Sequence, residues 1–248
     1  MTNVRKLARP PLTEAVIDVR VRPRDGFDPH LFEAAAQGLS GRFPRSEPRT
    51  AGKMTFTLGP GGARKPDIED LGMQGVFFHS ADETLIAQFR VDGFSLNRLA
   101  PYSSWEELWP LALELWEAYR TISLPASVTR LALRYINKIS LPGPLHSYAE
   151  YLRVVPVLPP ELPQHVTAFM ARTTIADQDS HCAAHITHVF PLSGPKGEPT
   201  MVLDIDAFTE FSLGPTDLLL APRFEELRVL KNRIFFSYLT EKALEGFG

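Results

Sequence analysis

The chain has 248 residues, of which 44% are hydrophobic and 22% are charged, and its formal net charge is −3. This composition is typical of a globular chain with a sizeable core, and the low net charge does not favour nucleic-acid binding through bulk electrostatics. The single cysteine, Cys182, excludes an internal disulfide framework. Because the sequence also lacks an apolar run of membrane-spanning or signal-peptide length, we expect a cytoplasmic protein without a membrane span.

The first half of the chain predicts the order strand, helix, three strands and a long helix. Residues 15–22 (AVIDVRVR) alternate apolar and polar side chains, which is typical of a half-buried strand. Asp28 and Pro29 then supply an N-cap and a first-turn proline for a helix, and a capping box at Ser104 begins the long helix. The three strands between these helices are predicted at residues 53–58, 75–79 and 85–92, the last two as a hairpin.

A glycine-rich, charged stretch at residues 59–74 (GPGGARKPDIEDLGMQ) has too little apolar periodicity for a helix or a strand. One interpretation is a phosphate-cradling loop, because glycine lets backbone N–H groups approach an anion. The stretch lacks the GxxxxGK[ST] arrangement, however, and Pro60 and Pro66 interrupt it. A mobile connection between strands is therefore the favoured interpretation.

The second half repeats the order of the first. Its opening strand, residues 130–140 (RLALRYINKIS), is the best defined in the chain, because Leu131, Leu133 and Tyr135 alternate with polar or small side chains. The remaining elements are predicted as strands at residues 166–175, 181–190 and 201–208, and as helices at about residues 147–154 and 222–244.

The two halves also match when one is shifted onto the other. A shift of 114 residues places Arg20 on Arg134 and Asp92 on Asp206. The sequence therefore indicates an internal duplication of a β-α-β-β-β-α unit, which would place an arginine and an aspartate at equivalent positions in each half. Such pairs favour a pseudo-twofold site near the join.

The predicted fold is α+β, with the two copies at residues 1–124 and 125–248 sharing one continuous sheet in one structural domain. We expect about eight largely antiparallel strands, with the long helices on one face and the other face open. This order resembles the duplicated saddle of TATA-binding-protein-like and related α+β folds, which is a likeness of fold and carries no function.

The outward side chains of the predicted strands form an unusually charged face. The simpler interpretation is a solvated sheet surface with cross-strand ion pairs, in which Arg134 grips a carboxylate such as Asp92 or Asp206. The alternative is a concave polar surface that recognises a partner or a ligand. The candidate residues of this binding face are Arg20, Arg90, Asp92, Arg134, Lys138, Asp204 and Asp206.

Two groups of potential metal ligands do not support a metal site. Asp204 and Asp206 would lie about 7 Å apart on one strand face, but no further ligand is identifiable nearby. His181, His185 and His188 look like a cluster, yet a strand separates the first two by about 13 Å and turns His188 to the opposite face. No catalytic motif is present, so no catalytic residue, metal or cofactor is predicted.

Four segments carry a family resemblance: PPLTEAV at residues 10–16, FSLNRL at 94–99 followed by Tyr102 and Trp105, LRYIN at 133–137, and LDID at 203–206. They resemble a sporadically distributed family of uncharacterised bacterial and archaeal proteins of about this length. The family implies no activity and no catalytic residue. Its scattered occurrence resembles that of accessory genes, including mobile-element and defence genes, which implies a role outside core metabolism.

The favoured functional hypothesis is a non-catalytic binding protein that recognises a protein partner in such an accessory system. The alternative is an enzyme or a small-ligand or nucleotide-binding protein that uses the charged face, with Arg134, Asp204 and Asp206 at its centre. A nucleic-acid-binding saddle is the third hypothesis, and the net charge and the scarcity of outward aromatic residues disfavour it. The sequence does not predict the oligomeric state.

Overall fold

The structure is a computed structural model with an α+β architecture. It describes residues 7–55, 58–59, 62–63, 67–141, 148–164, 166–193, 199–214 and 220–248. The described strands are β1 (Leu12–Arg22), β2 (Arg45–Thr55), β3 (Leu58–Gly59), β4 (Gly62–Ala63), β5 (Asp67–His79), β6 (Leu85–Arg90), β7 (Gly93–Leu99), β8 (Ser127–Ser140), β9 (Phe169–Asp177), β10 (Cys182–Ser193) and β11 (Pro199–Leu213). The described α-helices are α1 (Ala35–Leu39), α2 (Trp105–Ser123), α3 (Leu220–Tyr238) and α4 (Glu241–Glu245).

Nine of these strands form one antiparallel sheet in the order β2-β5-β6-β7-β1-β8-β11-β10-β9. The strands predicted at residues 15–22 and 130–140 are its centre, where Ile17 lies opposite Leu133 and Val19 lies opposite Leu131. All four of these side chains are buried. Because side chains alternate along a strand, the polar residues between them lie on the other face of the sheet.

Helices α2 and α3 pack on the apolar face of the sheet. Ser104 caps the start of α2, since its hydroxyl accepts a hydrogen bond from the Glu107 amide at 3.2 Å, which is one half of the predicted capping box. Trp109 of α2 contacts Phe224 of α3, with ring centroids 5.0 Å apart, so the two helices share one core. Each large apolar side chain buried there contributes about 1.5–3 kcal/mol relative to exposure. Within the described ranges, none of the helices combines the length and the apolarity that a membrane span requires.

The edge of the sheet differs from the prediction, which gave about eight strands. Strand β2 begins at Arg45 rather than at residue 53, and β5 begins at Asp67, inside the stretch that was expected to be a loop. Residues 60–61 and 64–66 of that stretch lie outside the described residues, whereas β3 and β4 form a small hairpin within it. The β2 side chains are exposed on both faces. An edge strand of this kind carries no apolar alternation, so its length could not be inferred from the pattern.

Three predicted helices are shorter or divided. The first is a 3₁₀ helix at Pro29–Ala34, capped by Asp28, which continues into the short α1. The second is reduced to a 3₁₀ turn at Tyr148–Glu150. The last predicted helix divides into α3 and α4, because Thr240 caps a new helix by accepting a hydrogen bond from the Ala243 amide.

Candidate functional site

The face of the sheet opposite α2 and α3, named here the charged sheet face, carries the outward residues predicted from the sequence. Arg90 is nearly buried there, and its Nη2 atom lies 2.6 Å from Asp18 Oδ2. Arg20 bridges two carboxylates, with Nε 3.1 Å from Asp18 and Nη1 2.5 Å from Asp92. The proximity of these two carboxylates raises the pKa of Arg20 despite the opposing effect of its partial burial. These four residues therefore form one network of ion pairs.

The second half of the same face is also paired. Arg134 donates two hydrogen bonds to Asp204, at 2.8 and 2.6 Å, and these bonds raise the pKa of Arg134. The cross-strand pair was predicted, but its partner is Asp204 rather than Asp92 or Asp206. Asp206 instead accepts a hydrogen bond from Arg130 at 2.8 Å. Lys138, the remaining candidate, is exposed.

The structure separates the two aspartates that were expected at equivalent positions, and it places His185 and His188 on opposite faces of the sheet. Asp92 lies in the turn between β6 and β7, whereas Asp206 lies inside β11, so the two carboxylates do not occupy corresponding positions. His185 contacts Phe208 on the charged sheet face, and His188 is buried on the helix side. Among the described residues, no group of three or more His, Cys, Asp or Glu side chains is arranged to hold a metal ion.

A different site lies on the helix side of the sheet. It is a cleft of about 200 Å³ between residues 7–12, the start of α2, strand β8 and helix α3. We name it the Tyr–Lys cleft. Its polar and aromatic lining includes Tyr102, Trp105, Tyr135, Asn137, Arg228 and Lys231.

Lys231 is the most unusual residue of the cleft. It is buried, and its Nζ atom lies 3.7 Å from the centroid of the Tyr135 ring. Burial lowers the pKa of Lys231 to about 7, and the neighbouring Arg228 cation contributes to the shift. In the part of the chain that the structure describes, no carboxylate forms an ion pair with this amine. A perturbed lysine in a cleft is a recognised indicator of a functional site.

Helix α3 brings Arg228 and Lys231 to the cleft because three residues separate neighbouring positions on one face of a helix. Arg228 is held in place by Glu225, at 3.0 Å, and Glu106, at 3.6 Å, and its guanidinium lies over the Trp105 ring at 5.8 Å. Its charge is therefore partly neutralised, whereas the charge of Lys231 is not.

Two tyrosine hydroxyls meet in the same cleft. The Tyr102 and Tyr135 oxygens lie 2.7 Å apart, and burial raises the pKa of both phenols. Both hydroxyls therefore stay protonated, and because one of them donates to the other, the proton of the second is available to a ligand. Asn137 is also buried, and its amide donates to the Leu203 carbonyl at 3.1 Å, which fixes its orientation beside the cleft.

The sequence predictions missed this site, although two signals for it are present. Lys231 falls four residues after Leu227 and four before Phe235, so it occupies the apolar stripe of its helix. Asn137 falls two residues after Tyr135, so it occupies the inward face of its strand. A polar residue at an inward position in each of two elements indicates that the elements share a polar site.

Three of the four segments on which the family resemblance rests contribute residues to the cleft. They are the proline segment at residues 10–12, the pair formed by Tyr102 and Trp105, and the strand residues Tyr135 and Asn137. Comparison with protein-family models, with curated proteins and with solved structures found no match for this chain.

Proposed function

We propose that the protein binds a small organic molecule with a negatively charged group in the Tyr–Lys cleft. The observation that carries this proposal is the buried ammonium of Lys231, which has no carboxylate partner among the described residues. An unpaired buried charge destabilises the fold, so stability does not explain why it is present. A buried charge at a cleft is better explained by a role in ligand binding. An anionic ligand would supply the missing charge.

The lining of the cleft supports a ligand with a flat or apolar body. Trp105 and Tyr135 offer ring surfaces, and the Tyr102 hydroxyl and Arg228 guanidinium offer hydrogen-bond donors. The volume of about 200 Å³ is below the range of about 300–1,000 Å³ that accommodates drug-sized ligands. We therefore propose a ligand of the size of a small metabolite.

A titration followed by tryptophan fluorescence tests this proposal, because Trp105 lines the cleft. The probes are para-hydroxymethylbenzoate and phenyl phosphate, which combine an anion with one ring. Replacing Lys231 with methionine removes a charged donor and is expected to weaken binding by roughly tenfold to a hundredfold.

The matched control is Lys138→Met, the same substitution at an exposed position on the charged sheet face. It is expected to leave the affinity unchanged. Binding that depends on Lys138 and not on Lys231 would place the ligand on the charged sheet face and contradict the proposal. The proposal is also contradicted if neither probe binds.

Recognition of a protein partner in an accessory system is the second proposed function. It is supported by the charged sheet face, which none of the described helices covers and on which Arg134 and Lys138 are exposed. The test is affinity capture from the native host with the wild type and with Lys138→Glu. A partner that recognises this face is expected to be lost with Lys138→Glu and kept with Lys231→Met.

An internal duplication, with copies at residues 1–124 and 125–248, is proposed for the origin of this fold. Its support is the order of strands outward from the centre: β7, β6 and β5 follow β1, as β11, β10 and β9 follow β8. In each half a helix of 19 residues also follows the strands. The pairing register with the neighbouring strand differs by one residue between the halves. Arg20 lies opposite Gly93, whereas Arg134 lies opposite Asp206, which matches Asp92 under the shift of 114 residues. Superposition of the halves in a crystal structure tests the proposal, which fails if Arg20 and Arg134 do not coincide.

A further inference from the structure

We infer that Lys231 is a nucleophilic amine that forms an imine with the carbonyl group of an aldehyde or ketone bound in the Tyr–Lys cleft. This inference rests on the proposed ligand-binding function, and it names the chemical class of the ligand. It also assigns to the site a covalent step that binding alone does not require.

The position of the amine supports this assignment. Lys231 Nζ is enclosed against the ring of Tyr135, at 3.7 Å from its centroid, on the inner side of a cleft that has room for a small molecule. A lysine becomes nucleophilic when an apolar pocket or a neighbouring cation makes its protonated form unfavourable. Both conditions are met, because the amine is buried and Arg228 precedes it by one helical turn.

The charged and titratable groups that line the cleft with Lys231 are Tyr102, Tyr135, Arg228 and Glu106. The carboxylate among them, Glu106, lies 3.6 Å from Arg228 and so faces the other cation. Since the pKa of Lys231 is lowered to about 7 by burial, about half of this amine is neutral near neutral pH. An ordinary lysine is neutral in only about one molecule in 2,500 under the same conditions.

The reaction is balanced without an oxidant or a reductant. The nitrogen lone pair of Lys231 forms a bond to the carbonyl carbon while the π electrons of the C=O bond move to oxygen, which takes up a proton. The resulting carbinolamine loses its hydroxyl with another proton as water, and the nitrogen gives up its two protons as the C=N bond forms. The products are the imine and one molecule of water.

The two tyrosines are suited to assist the loss of water. Their hydroxyls are 2.7 Å apart in the same cleft, and the raised pKa of Tyr102 and of Tyr135 keeps both protonated. A proton donor for the departing hydroxyl is therefore present beside the amine. Arg228 is a positioning residue in this scheme, because its charge acts on Lys231.

Reductive trapping tests the inference on the intact wild-type protein. The probe is para-carboxybenzaldehyde, an anionic aromatic aldehyde, with sodium cyanoborohydride to convert the imine into a stable amine. Peptide mapping by mass spectrometry then compares Lys231 with the exposed Lys53 and Lys138 of the same molecule. The expected result is a labelling rate near neutral pH at least about tenfold higher at Lys231, because so much more of that amine is neutral.

The pH dependence gives a second readout. The labelling rate of Lys231 should rise up to about pH 7 and level off above it, because its amine is then neutral. In Arg228→Gln the midpoint for Lys231 should move to higher pH, because a neighbouring positive charge has been removed. The control is Arg233→Gln, which removes an exposed cation of the same helix that pairs with Asp177. Labelling of Lys231 no faster than that of Lys138 would overturn the inference.

The trapping experiment and the binding experiment can fail independently, so they test the imine inference and the proposed anion site separately. The alcohol para-hydroxymethylbenzoate has the shape of the aldehyde and cannot form an imine. If the alcohol binds in a manner that depends on Lys231 and the aldehyde gives no selective adduct, the imine inference is overturned and the anion site stands. If Lys231 is labelled selectively and the alcohol does not bind, the reactive lysine stands and the proposed anion site is overturned.

Discussion

Replacement of Lys231 by methionine is expected to stabilise the fold near neutral pH and to lose that advantage in alkaline solution. Lys231 is buried, and burial is the main reason that its pKa is lowered to about 7 from the ordinary 10.5. In the unfolded chain the amine returns to its ordinary pKa. Between these two values the unfolded state binds more protons than the native state, so the unfolding free energy of the wild type rises with pH. Methionine has no proton to bind and does not contribute to this rise.

The size of the effect follows from the pKa shift. One pKa unit corresponds to about 1.36 kcal/mol, so burial of the charged amine lowers the free energy of unfolding by on the order of 5 kcal/mol. This cost is present in full below about pH 7 and absent above about pH 10.5. Between about pH 7 and about pH 9 the wild type should therefore gain roughly 2 kcal/mol relative to Lys231→Met. Methionine fills a similar volume, and such replacements usually cost less than about 1.5 kcal/mol in packing.

Urea unfolding of both proteins at one temperature and several pH values measures this difference. Other titrating groups, including Tyr102, Tyr135 and Glu106 in the same cleft, are present in both proteins and cancel in the comparison. Lys138→Met is the control, because its amine is exposed and its difference from the wild type should not vary with pH. A difference between Lys231→Met and the wild type that stays constant across the range would refute the assigned pKa and the reasoning built on it.

Three further substitutions test the packing of the sheet by the same urea assay. Arg90→Met should destabilise the protein by about 3 kcal/mol, because the side chains of Arg90 and Asp18 are only 8% and 12% exposed. Arg134→Ala should cost less than about 1 kcal/mol, because its bidentate pair leaves 47% of that side chain exposed. Gly93→Ala should cost about 1–3 kcal/mol, because its φ is +152° and a Cβ would lie 2.3 Å from a backbone oxygen of β1. Gly38→Ala, where a Cβ meets nothing within 4 Å, is the glycine control.

The same substitutions test two structural explanations, namely the burial of the ion pairs and the close approach of β7 to β1. Equal losses for Arg90→Met and Arg134→Ala would contradict the dependence of ion-pair strength on burial that separates the two arginines. A neutral Gly93→Ala would contradict the close approach of β7 to β1 at that residue.

The centre of the fold could be predicted from the sequence because its strands are buried on one face and polar on the other. Residues 15–22 and 130–140 carry this alternation, and they became the neighbouring strands β1 and β8. The full length of β2 and β5 could not be predicted in the same way, although strands were predicted at residues 53–58 and 75–79. Strand β2 lies at the edge of the sheet and is exposed on both faces, so the alternation that reveals a strand is missing there.

The candidate site was only partly accessible to the same reasoning. Sequence patterning assigned Arg20, Arg90 and Arg134 to the outward face, but alternation alone does not specify which carboxylate each arginine meets. The antiparallel register places Arg134 directly opposite Asp206, one of its expected partners, but the long side chain crosses diagonally to Asp204, and Asp206 accepts a hydrogen bond from Arg130 instead. A diagonal choice of this kind depends on side-chain conformations and on neighbouring strands, so it cannot be predicted from one strand.

Each face of the sheet holds a buried cation, and the two cations differ in their charged neighbours. This difference is the main support for the function proposed at the cleft. Arg90 is buried on the charged sheet face, and Asp18 lies 2.6 Å from it, so the cost of removing its charge from water is offset within the fold. Lys231 is buried on the helix side, and the nearest charge identified as acting on it is another cation, Arg228. The Arg90 pair shows that this fold can neutralise a buried cation. Among the described residues no carboxylate pairs with Lys231, and this difference from Arg90 supports the proposed ligand binding and imine formation at the cleft. The same lysine therefore links the stability experiment to the trapping experiment, since the low pKa that makes it costly near neutral pH also makes it nucleophilic there.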